Sequence, residues 1–441
     1  MKSSRFVSSA LCALLVLGTA SVWAGGKADA AKPAADTAAP AAKAAEISIS
    51  WQVWITPNLT RTYYDEVVAA FEAKNPGIKV KIVEANAATS GAANDFIKMR
   101  LAAGDVPDVW TNLDVAVFAE AGQLWEIPVN DPDLKKINGN PMDAAYKGKV
   151  YSFFPSVQPQ GCMFYNKTMF KTAGITTLPK TWTEFEAACA KLKAAGFTPI
   201  ITGGEWVPGL IINNVLSTDL AKNKPNYWTD VYAGKATFVT TPEVVDGIAG
   251  LQSLVDKGYF NKGALSIGYA DLEGQFLAGK AAIYPMGSWF TAAEAAAKKD
   301  FEVGVFSIPT RDGKPSLVAS GGYGSAPVVY AKSKNPEAAW KLAKFYVMDS
   351  VYGAKFIQVD GLYSNLNPPL EYPMSQLQKD LALMVPTAKL ANLQHRLGDA
   401  GANGFFDPMT KVGQLILAEG SKAGSPATLA KIFDDYVASL K

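Results

Sequence analysis

The sequence predicts an α/β fold in which strands alternate with helices. Two kinds of run support it: runs with an apolar residue at every second position, as in a half-buried strand, and runs with apolar residues three and four positions apart, as on one helix face. Because parallel neighbours need a long crossover, the alternation predicts parallel strands joined by helices. The first five segments are a strand over Ile47–Val53, a helix over Tyr64–Phe71, a strand over Ile78–Ile82, a helix over Phe96–Ala103 and a strand over Val106–Trp110.

A second α/β unit begins with a predicted strand over Cys162–Tyr165. The next helix starts with the spacing of a capping box, which is met by Thr181 with Glu184 or by Thr183 with Glu186. A chain of 441 residues is too long for one hydrophobic core, so we expect two lobes of comparable size. The apolar face of the second helix is formed by Phe185, Ala188, Cys189 and Leu192.

The N-terminal residues are predicted to direct export and to tether the fold. Residues 1–24 have the features of a signal peptide, because two basic residues precede the apolar run Phe6–Leu17, which is too short to span a bilayer. Residues 25–46 are rich in Ala, Gly, Lys and Pro and contain no aromatic residue, so they are predicted to be a flexible linker. Cys12 lies inside the apolar run, which disfavours a lipid anchor at that position.

The charge balance argues against nucleic acid and anionic membrane as partners. The full chain has 42 Lys and Arg residues against 40 Asp and Glu residues. Without the first 24 residues, which hold two basic residues and no acidic one, the mature chain has 40 of each and no net charge. It also shows no clustered basic patch and no later run of apolar residues long enough to cross a membrane.

The sequence offers no catalytic, metal-binding or cofactor-binding constellation. His395 is the one histidine and is predicted to be a structural residue on a surface helix, so His-based triads and multi-His metal sites have no support. A glycosidase would need two carboxylates facing across a cleft, and no spacing singles out such a pair. We therefore predict no catalytic residue, no metal and no cofactor. Cys162 and Cys189 remain after export, and a disulfide and two buried thiols are both compatible with the sequence.

The segment Gly161–Phe185, GCMFYNKTMFKTAGITTLPKTWTEF, carries a family resemblance. It is similar to the signature of the bacterial extracellular solute-binding proteins of family 1, the maltose-binding-protein-like binding subunits of ABC importers for sugars and related solutes. Together with further matching segments, the resemblance extends over about residues 47–350. These segments are Gly104–Val109, Phe276–Ile283 with Gly287–Trp289, Gly321–Gly324 and Asn335–Trp340, where Asn335 is the expected N-cap and Pro336 the first helical residue.

This resemblance implies the two-lobed periplasmic-binding-protein fold of type II. Each lobe is then a mostly parallel sheet flanked by helices, and the solute lies in a cleft between the lobes. Chain crossovers between the lobes are expected near Val157–Gly161 and Ser320–Ala326, with a third near Gly361–Asn367. The implied division is residues 47–160 plus 325–362 for lobe I and residues 161–324 plus 363–441 for lobe II.

Sugars are bound by aromatic faces and by amides and carboxylates, and such side chains follow several predicted strands. Trp54 ends the first strand at the sheet edge where open α/β sheets place ligands, and Asn112 and Asp114 follow the third strand at the same edge. The resemblance implies that Trp289 of the Gly-Ser-Trp motif is a stacking platform. The complete set of expected solute-binding residues is Trp54, Asn112, Asp114, Glu205, Trp206, Trp289, Gly322, Tyr323, Phe406 and Asp407.

Several of these residues have an equally ordinary structural interpretation. Tryptophan is usually a packing residue, so Trp54 and Trp206 stay open between solute contact and packing. Gly322 can serve to supply a positive φ, and the turn at Phe406-Asp407 needs no ligand to exist. Asp108 is predicted to be structural. Five tryptophans within periodic segments are predicted to be core residues, namely Trp51, Trp110, Trp125, Trp182 and Trp340.

The predicted function is that of an extracytoplasmic solute-binding subunit of an ABC importer, located in the periplasm or at the cell surface. The resemblance implies capture of a sugar by hinge closure and delivery to the transmembrane subunits of the permease by a monomeric protein. A phosphorylated solute would call for an arginine, and no candidate residue is one, so a neutral mono- or oligosaccharide is favoured. The alternatives are a surface interaction protein that kept the fold without transport and a secreted carbohydrate-active enzyme.

Overall fold

The computed structural model describes residues 46–85, 90–111, 115–138, 145–153, 155–224, 226–314, 317–320, 327–385, 388–389 and 405–439. The predictions for the signal peptide, for residues 25–45 of the linker and for His395 lie outside these ranges. The same holds for four expected solute-binding residues, Asn112, Asp114, Gly322 and Tyr323.

The described part of the chain alternates strands and helices throughout. Its first half comprises β1 (Ile47–Trp54), α1 (Arg61–Lys74), β2 (Ile78–Ala85), α2 (Ser90–Ala103), β3 (Val109–Thr111), α3 (Val115–Glu120), β4 (Ser156–Pro159), β5 (Cys162–Asn166), α4 (Lys167–Thr172), α5 (Trp182–Ala194), α6 (Val207–Asn223) and α7 (Tyr227–Tyr232). The remainder comprises α8 (Pro242–Asp256), α9 (Tyr269–Leu277), β6 (Ile283–Met286), α10 (Phe290–Ala296), β7 (Val303–Ser307), β8 (Leu317–Ser320), β9 (Pro327–Val329), α11 (Pro336–Met348), α12 (Tyr352–Val359), β10 (Tyr363–Ser364), α13 (Gln376–Ala382), β11 (Ala388–Lys389), α14 (Phe406–Glu419) and α15 (Pro426–Ser439).

The first sheet has the strand order β2-β1-β3-β9, with β1 parallel to β2 and to β3. The predicted β-α-β-α-β order is therefore confirmed, but β3 begins at Val109 rather than at Val106. Pro107 has no N–H to donate to a neighbouring strand. Asp108 accepts hydrogen bonds from the Ser50 backbone N–H and hydroxyl and from the Ser333 hydroxyl, which confirms its structural role.

The second sheet has the strand order β6-β5-β7, and β5 is antiparallel to both neighbours. In the first sheet β9 is likewise the one strand that runs against its neighbour. β5 follows β4, a strand of a third sheet, without an intervening helix, so it enters its own sheet from the opposite end. The expected parallel pairing is found among β1, β2 and β3 of the first sheet, whereas both strand pairs of the second sheet are antiparallel because β5 lies between β6 and β7.

The third sheet brings the predicted crossover segments together. Its order is β10-β4-β8-β11, and β4 pairs antiparallel with both β10 and β8. β4, β8 and β10 lie in or directly beside the three segments where the chain was expected to cross between lobes. The chain therefore passes between the first and second sheets beside one small shared sheet.

Apolar side chains form separate cores around the two large sheets. One cluster gathers β1, α1, α11 and α12, and a smaller one lies around Trp110. Another gathers β5, β6, β7, α6 and α14. Of the tryptophans predicted to pack, Trp51, Trp110 and Trp340 are buried, and Trp125 and Trp182 are partly buried against the same cores.

Local signals in the second unit are also confirmed. The capping box forms between Thr181 and Glu184 at the start of α5, whose predicted apolar face is buried. Cys162 and Cys189 are both buried free thiols, which settles the alternative that the sequence left open. Asn335 and Pro336 take their expected places at the start of α11, although the Asn335 side chain makes no capping hydrogen bond. None of the helices among the described residues is long and apolar enough to cross a membrane.

Candidate solute-binding site

The end of β1 and the loop after it form one wall of the candidate site. Trp54 is partly exposed, and its buried indole Nε1 has no hydrogen-bond partner among the described residues. Four residues later, Asn58 Nδ2 donates to the carbonyl oxygen of Trp289 over 3.1 Å. Because Trp289 packs against the second core, this bond joins the edge of the first sheet to the other half of the fold.

Three aromatic residues form the opposite wall, which we call the aromatic cluster: Trp206, Tyr269 and Trp289. The ring centroids of Trp206 and Tyr269 are 4.8 Å apart, and those of Trp206 and Trp289 are 6.2 Å apart. The Trp289 side chain lowers the pKa of the Tyr269 hydroxyl slightly, against the larger raising effect of burial. All three residues are partly exposed, so the cluster keeps aromatic surface available to a solute.

Local backbone geometry sets the position of Trp289. The residue precedes α10, and its ring lies so close to Gly287 that an added Cβ there would be 2.0 Å from the ring. The glycine of the Gly-Ser-Trp motif therefore has a steric role, because only a residue without a side chain allows the indole to fold back over the backbone.

Glu205 positions the aromatic cluster from the other side. It adopts φ 52, a left-handed conformation that is uncommon for a residue with a side chain. Its carboxylate accepts a hydrogen bond from the Tyr269 N–H at 3.2 Å, and its carbonyl accepts one from Gln414 Nε2. The predicted acidic-aromatic pair thus lies at the candidate site, where Glu205 supports the first turn of α9 and the adjacent Trp206 belongs to the aromatic cluster.

The start of α14 lies beside α6 and is less exposed to solvent than the aromatic cluster. Phe406 is buried next to Gly209, so it is a packing residue in this structure. Asp407 is exposed as a residue, but its carboxylate is partly shielded from solvent, and this desolvation raises its pKa. The charge of Asp95 raises the pKa further, and Lys98 has the opposite effect. Asp95 and Lys98 belong to α2 beside the first sheet, so Asp407 lies within electrostatic reach of the other half of the fold.

Two carboxylates near the aromatic cluster were not predicted from the sequence. Glu273 lies one turn after Tyr269 on α9, and Asp360 follows α12 directly. Burial raises the pKa of each to about 7. Both charges also raise the pKa of Tyr269, after the larger effect of its own burial. Among the described residues, no group of three or more His, Cys, Asp and Glu side chains is placed to hold a metal ion.

The structure thus brings together Trp206, Trp289 and the supporting Glu205, with Trp54 on the facing wall. The main residues that sequence reasoning missed are Asn58, Tyr269, Glu273 and Asp360. Asn58 could have been found from its place in the loop after the first strand, and Asp360 from its position directly before a predicted crossover. Tyr269 and Glu273 carry no comparable signal, because their helix was not linked to the site by any motif.

Comparison with known proteins places the chain in a family. The family model described as bacterial extracellular solute-binding protein matches residues 56–349. The multiple sugar-binding protein of Streptococcus mutans is 26% identical over 377 residues, which cover 78% of this chain and 86% of that protein.

Solved structures show the same fold over nearly the whole length. The raffinose complex of the solute-binding protein RafE, known from Streptococcus pneumoniae, has a TM-score of 0.71 at 24% identity and covers 88% of this chain and 99% of its own. A sugar transporter protein of Bacillus licheniformis in complex with stachyose has a TM-score of 0.69 at 17% identity and covers 90% and 100%. The fold is the two-lobed type II architecture, and the chain belongs to the bacterial extracellular solute-binding proteins.

Proposed function

We propose that this protein is the extracytoplasmic binding subunit of an ABC importer and that it captures a neutral carbohydrate. The observation that carries the proposal is the aromatic cluster of Trp206, Tyr269 and Trp289, partly exposed and linked to the facing loop by Asn58. Partly exposed aromatic faces with adjacent carboxylates suit the C–H surfaces and hydroxyls of a sugar. The raffinose, stachyose and multiple-sugar names of its relatives point to the same class of solute.

The charge of the site supports a solute without a negative charge. The nearest ionisable side chains of the aromatic cluster are Glu205, Glu273 and Asp360, and no Lys or Arg pairs with any of them in the described part of the chain. A phosphorylated solute would need a compensating cation. We therefore place neutral mono- and oligosaccharides ahead of sugar phosphates and sugar acids.

The remaining features of the proposal follow from the family and from the arrangement of the cores. The cores divide near the third sheet, which supports lobes of residues 47–160 plus 325–362 and 161–324 plus 363–441. We infer that these lobes close about the third sheet when solute binds and that the closed form engages the permease. The protein acts outside the cytoplasm, as a monomer and without catalysis.

A thermal-shift screen tests this function. Purified protein is heated with raffinose, stachyose, chito-oligosaccharides, common monosaccharides, polyols, amino acids and phosphorylated polyols. A solute that binds only the native state stabilises it by about 2.7 kcal/mol at a hundredfold excess over its dissociation constant. We expect at least one neutral saccharide to give such a shift. Stabilisation by amino acids or phosphorylated polyols alone would contradict the proposal, and so would the absence of any shift combined with tight binding of a macromolecule.

A further inference from the structure

Asp360 occupies the point where the last predicted crossover meets the aromatic cluster. It is the residue after α12, and the next residue, Gly361, has φ 60. A Cβ at Gly361 would be 2.2 Å from the carbonyl oxygen of Ser288, the residue before Trp289. The backbone beside Asp360 is thus in van der Waals contact with the backbone that carries the stacking residue.

Asp360 interacts electrostatically with tyrosines from both halves of the fold. Tyr63 and Tyr64 belong to α1, Tyr346 to α11 and Tyr269 to α9. The pKa of each tyrosine is raised mainly by burial, with a smaller contribution from the charge of Asp360. Asp360 is therefore within electrostatic reach of hydroxyls on opposite sides of the cleft.

This carboxylate has no compensating cation among the described residues. It accepts a hydrogen bond from the neutral amide of Gln158, whose Nε2 is 3.4 Å from Oδ2. Lys355 of the same helix pairs instead with Glu66 at the surface. Asp360 keeps part of its surface accessible although burial raises its pKa to about 7, and this combination is expected of a group at the bottom of a cleft.

Glu273 repeats the pattern on the other side of Tyr269. It makes no ion pair or hydrogen bond with a described residue, it is partly buried, and burial raises its pKa to about 7. Partly buried carboxylates without a neighbouring cation are costly to ionise, so Asp360 and Glu273, beside the partly exposed aromatic cluster, leave acceptor oxygens for a further partner.

Independent polar groups around these carboxylates also lack partners. The Tyr63 hydroxyl, on a side chain only 5% exposed, has no hydrogen-bond partner among the described residues. The Ser288 hydroxyl, fully buried and next to Trp289, has none there either. Buried hydroxyls are normally satisfied, so these groups point to a polar molecule that completes the site.

We propose that Asp360 and Glu273 form an acidic subsite of the solute cleft, which accepts hydrogen bonds from sugar hydroxyls and excludes sugar acids and sugar phosphates. The inference rests on the proposed function and adds to it the residues that determine specificity. Hydroxyls donate to ionised carboxylates, whereas a second negative charge brought into this cation-free pocket would be repelled.

Solute binding is consequently linked to proton release. If the bound solute interacts with ionised Asp360, affinity follows the ionised fraction of the free protein, which rises about tenfold between pH 6 and pH 8 for a pKa of about 7. Glu273 adds to the same trend, since its pKa lies in the same range. The tyrosines that interact with Asp360 stay neutral between pH 6 and pH 8, because the ordinary tyrosine pKa of about 10 already lies above this range and their pKa values are raised further.

Isothermal titration with the neutral saccharide that gives the largest thermal shift tests the subsite. Titrations are run at pH 6, 7 and 8 for the wild type, Asp360→Asn, Glu273→Gln and the control Asp271→Asn, which alters an exposed carboxylate on α9. The matching uronic acid is titrated in parallel.

We expect wild-type affinity to rise at least tenfold from pH 6 to pH 8, with proton release detected by comparing buffers of different ionisation enthalpy. Asp360→Asn and Glu273→Gln should lose affinity at pH 8 and flatten this dependence, while Asp271→Asn behaves as wild type and the uronic acid binds at least tenfold more weakly. Wild-type affinity and pH dependence in either site variant, or equal binding of the uronic acid, overturns the subsite while the proposed function stands. The absence of binding by any saccharide overturns both.

Discussion

At the residue scale, the site combines one residue that a motif made visible with others that only the fold brings near it. Trp289 stands in a Gly-Ser-Trp motif whose glycine allows the indole to cover the backbone. Asp360, by contrast, owes its environment to α1, α9 and α11, which are distant in sequence. An aspartate at the end of a helix looks like an ordinary surface residue, so its position before a predicted crossover could suggest the site but not the partial burial of its carboxylate.

The first prediction at this scale concerns Trp289→Ala. Loss of one stacked aromatic face should weaken saccharide binding by about 1–3 kcal/mol. Titration calorimetry measures the change, and Trp182→Ala is the matched control because Trp182 is also partly buried but packs against Gly250 on α8. Unchanged affinity in folded Trp289→Ala, or an equal loss in Trp182→Ala, would assign Trp289 to packing.

A second prediction concerns Asp360 and the stability of the solute-free protein. The carboxyl pKa is about 7 in the folded state and near 3.9 when unfolded, so the folded state binds more protons between these values. The contribution of Asp360 to the free energy of unfolding is therefore present at low pH and is lost as the pH rises towards 7.

Asp360→Asn removes this dependence, so its stability relative to wild type should increase from pH 5 to pH 8. The expected gain is about 2 kcal/mol, less than the full shift because the side chain keeps some contact with solvent. Urea unfolding of both proteins at the two pH values provides the measurement, with Asp271→Asn as the reference. If the difference in stability between the two proteins does not depend on pH, the pKa of Asp360 in the folded state is not raised, which contradicts this prediction.

At the element scale, periodicity predicted the strands and helices well where each has one clear apolar face. The first α/β units and the Thr181 capping box are examples. The start of β3 and the start of α14 were harder. Pro107 delays the strand, and Phe406 packs into the second core because it opens a helix that lies on α6, whereas a solute contact had been expected. Such outcomes depend on tertiary packing, which a single segment does not encode.

The prediction at this scale is that the turn after α12 tolerates no side chain. Gly361→Ala combines a positive φ with a Cβ that would collide with the Ser288 carbonyl, so it should cost about 2–4 kcal/mol of stability and displace both Asp360 and Trp289. Gly263→Ala is the control, because its φ of 69 is similar while nothing lies within 4 Å of the added Cβ. Urea unfolding and saccharide titration should therefore separate the two variants, and an equal cost in both would contradict the role given to the contact with Ser288.

At the scale of the whole molecule, the sequence motifs predicted the family and the two-lobed fold, which the comparisons confirm. The three crossover segments meet at one small sheet, and the cores separate beside it. Among the described residues, the Asn58 to Trp289 hydrogen bond links the two halves at the mouth of the candidate site. These features support a cleft whose walls move relative to each other when a solute enters.

Small-angle X-ray scattering with and without a saturating saccharide measures this closure of the two lobes. We predict that the radius of gyration falls when a saccharide identified by thermal shift is added and that a sugar without a thermal shift leaves it unchanged. Trp289→Ala should need more saccharide for the same compaction. An unchanged scattering profile at full occupancy of the site would contradict capture of the sugar by closure of the two lobes.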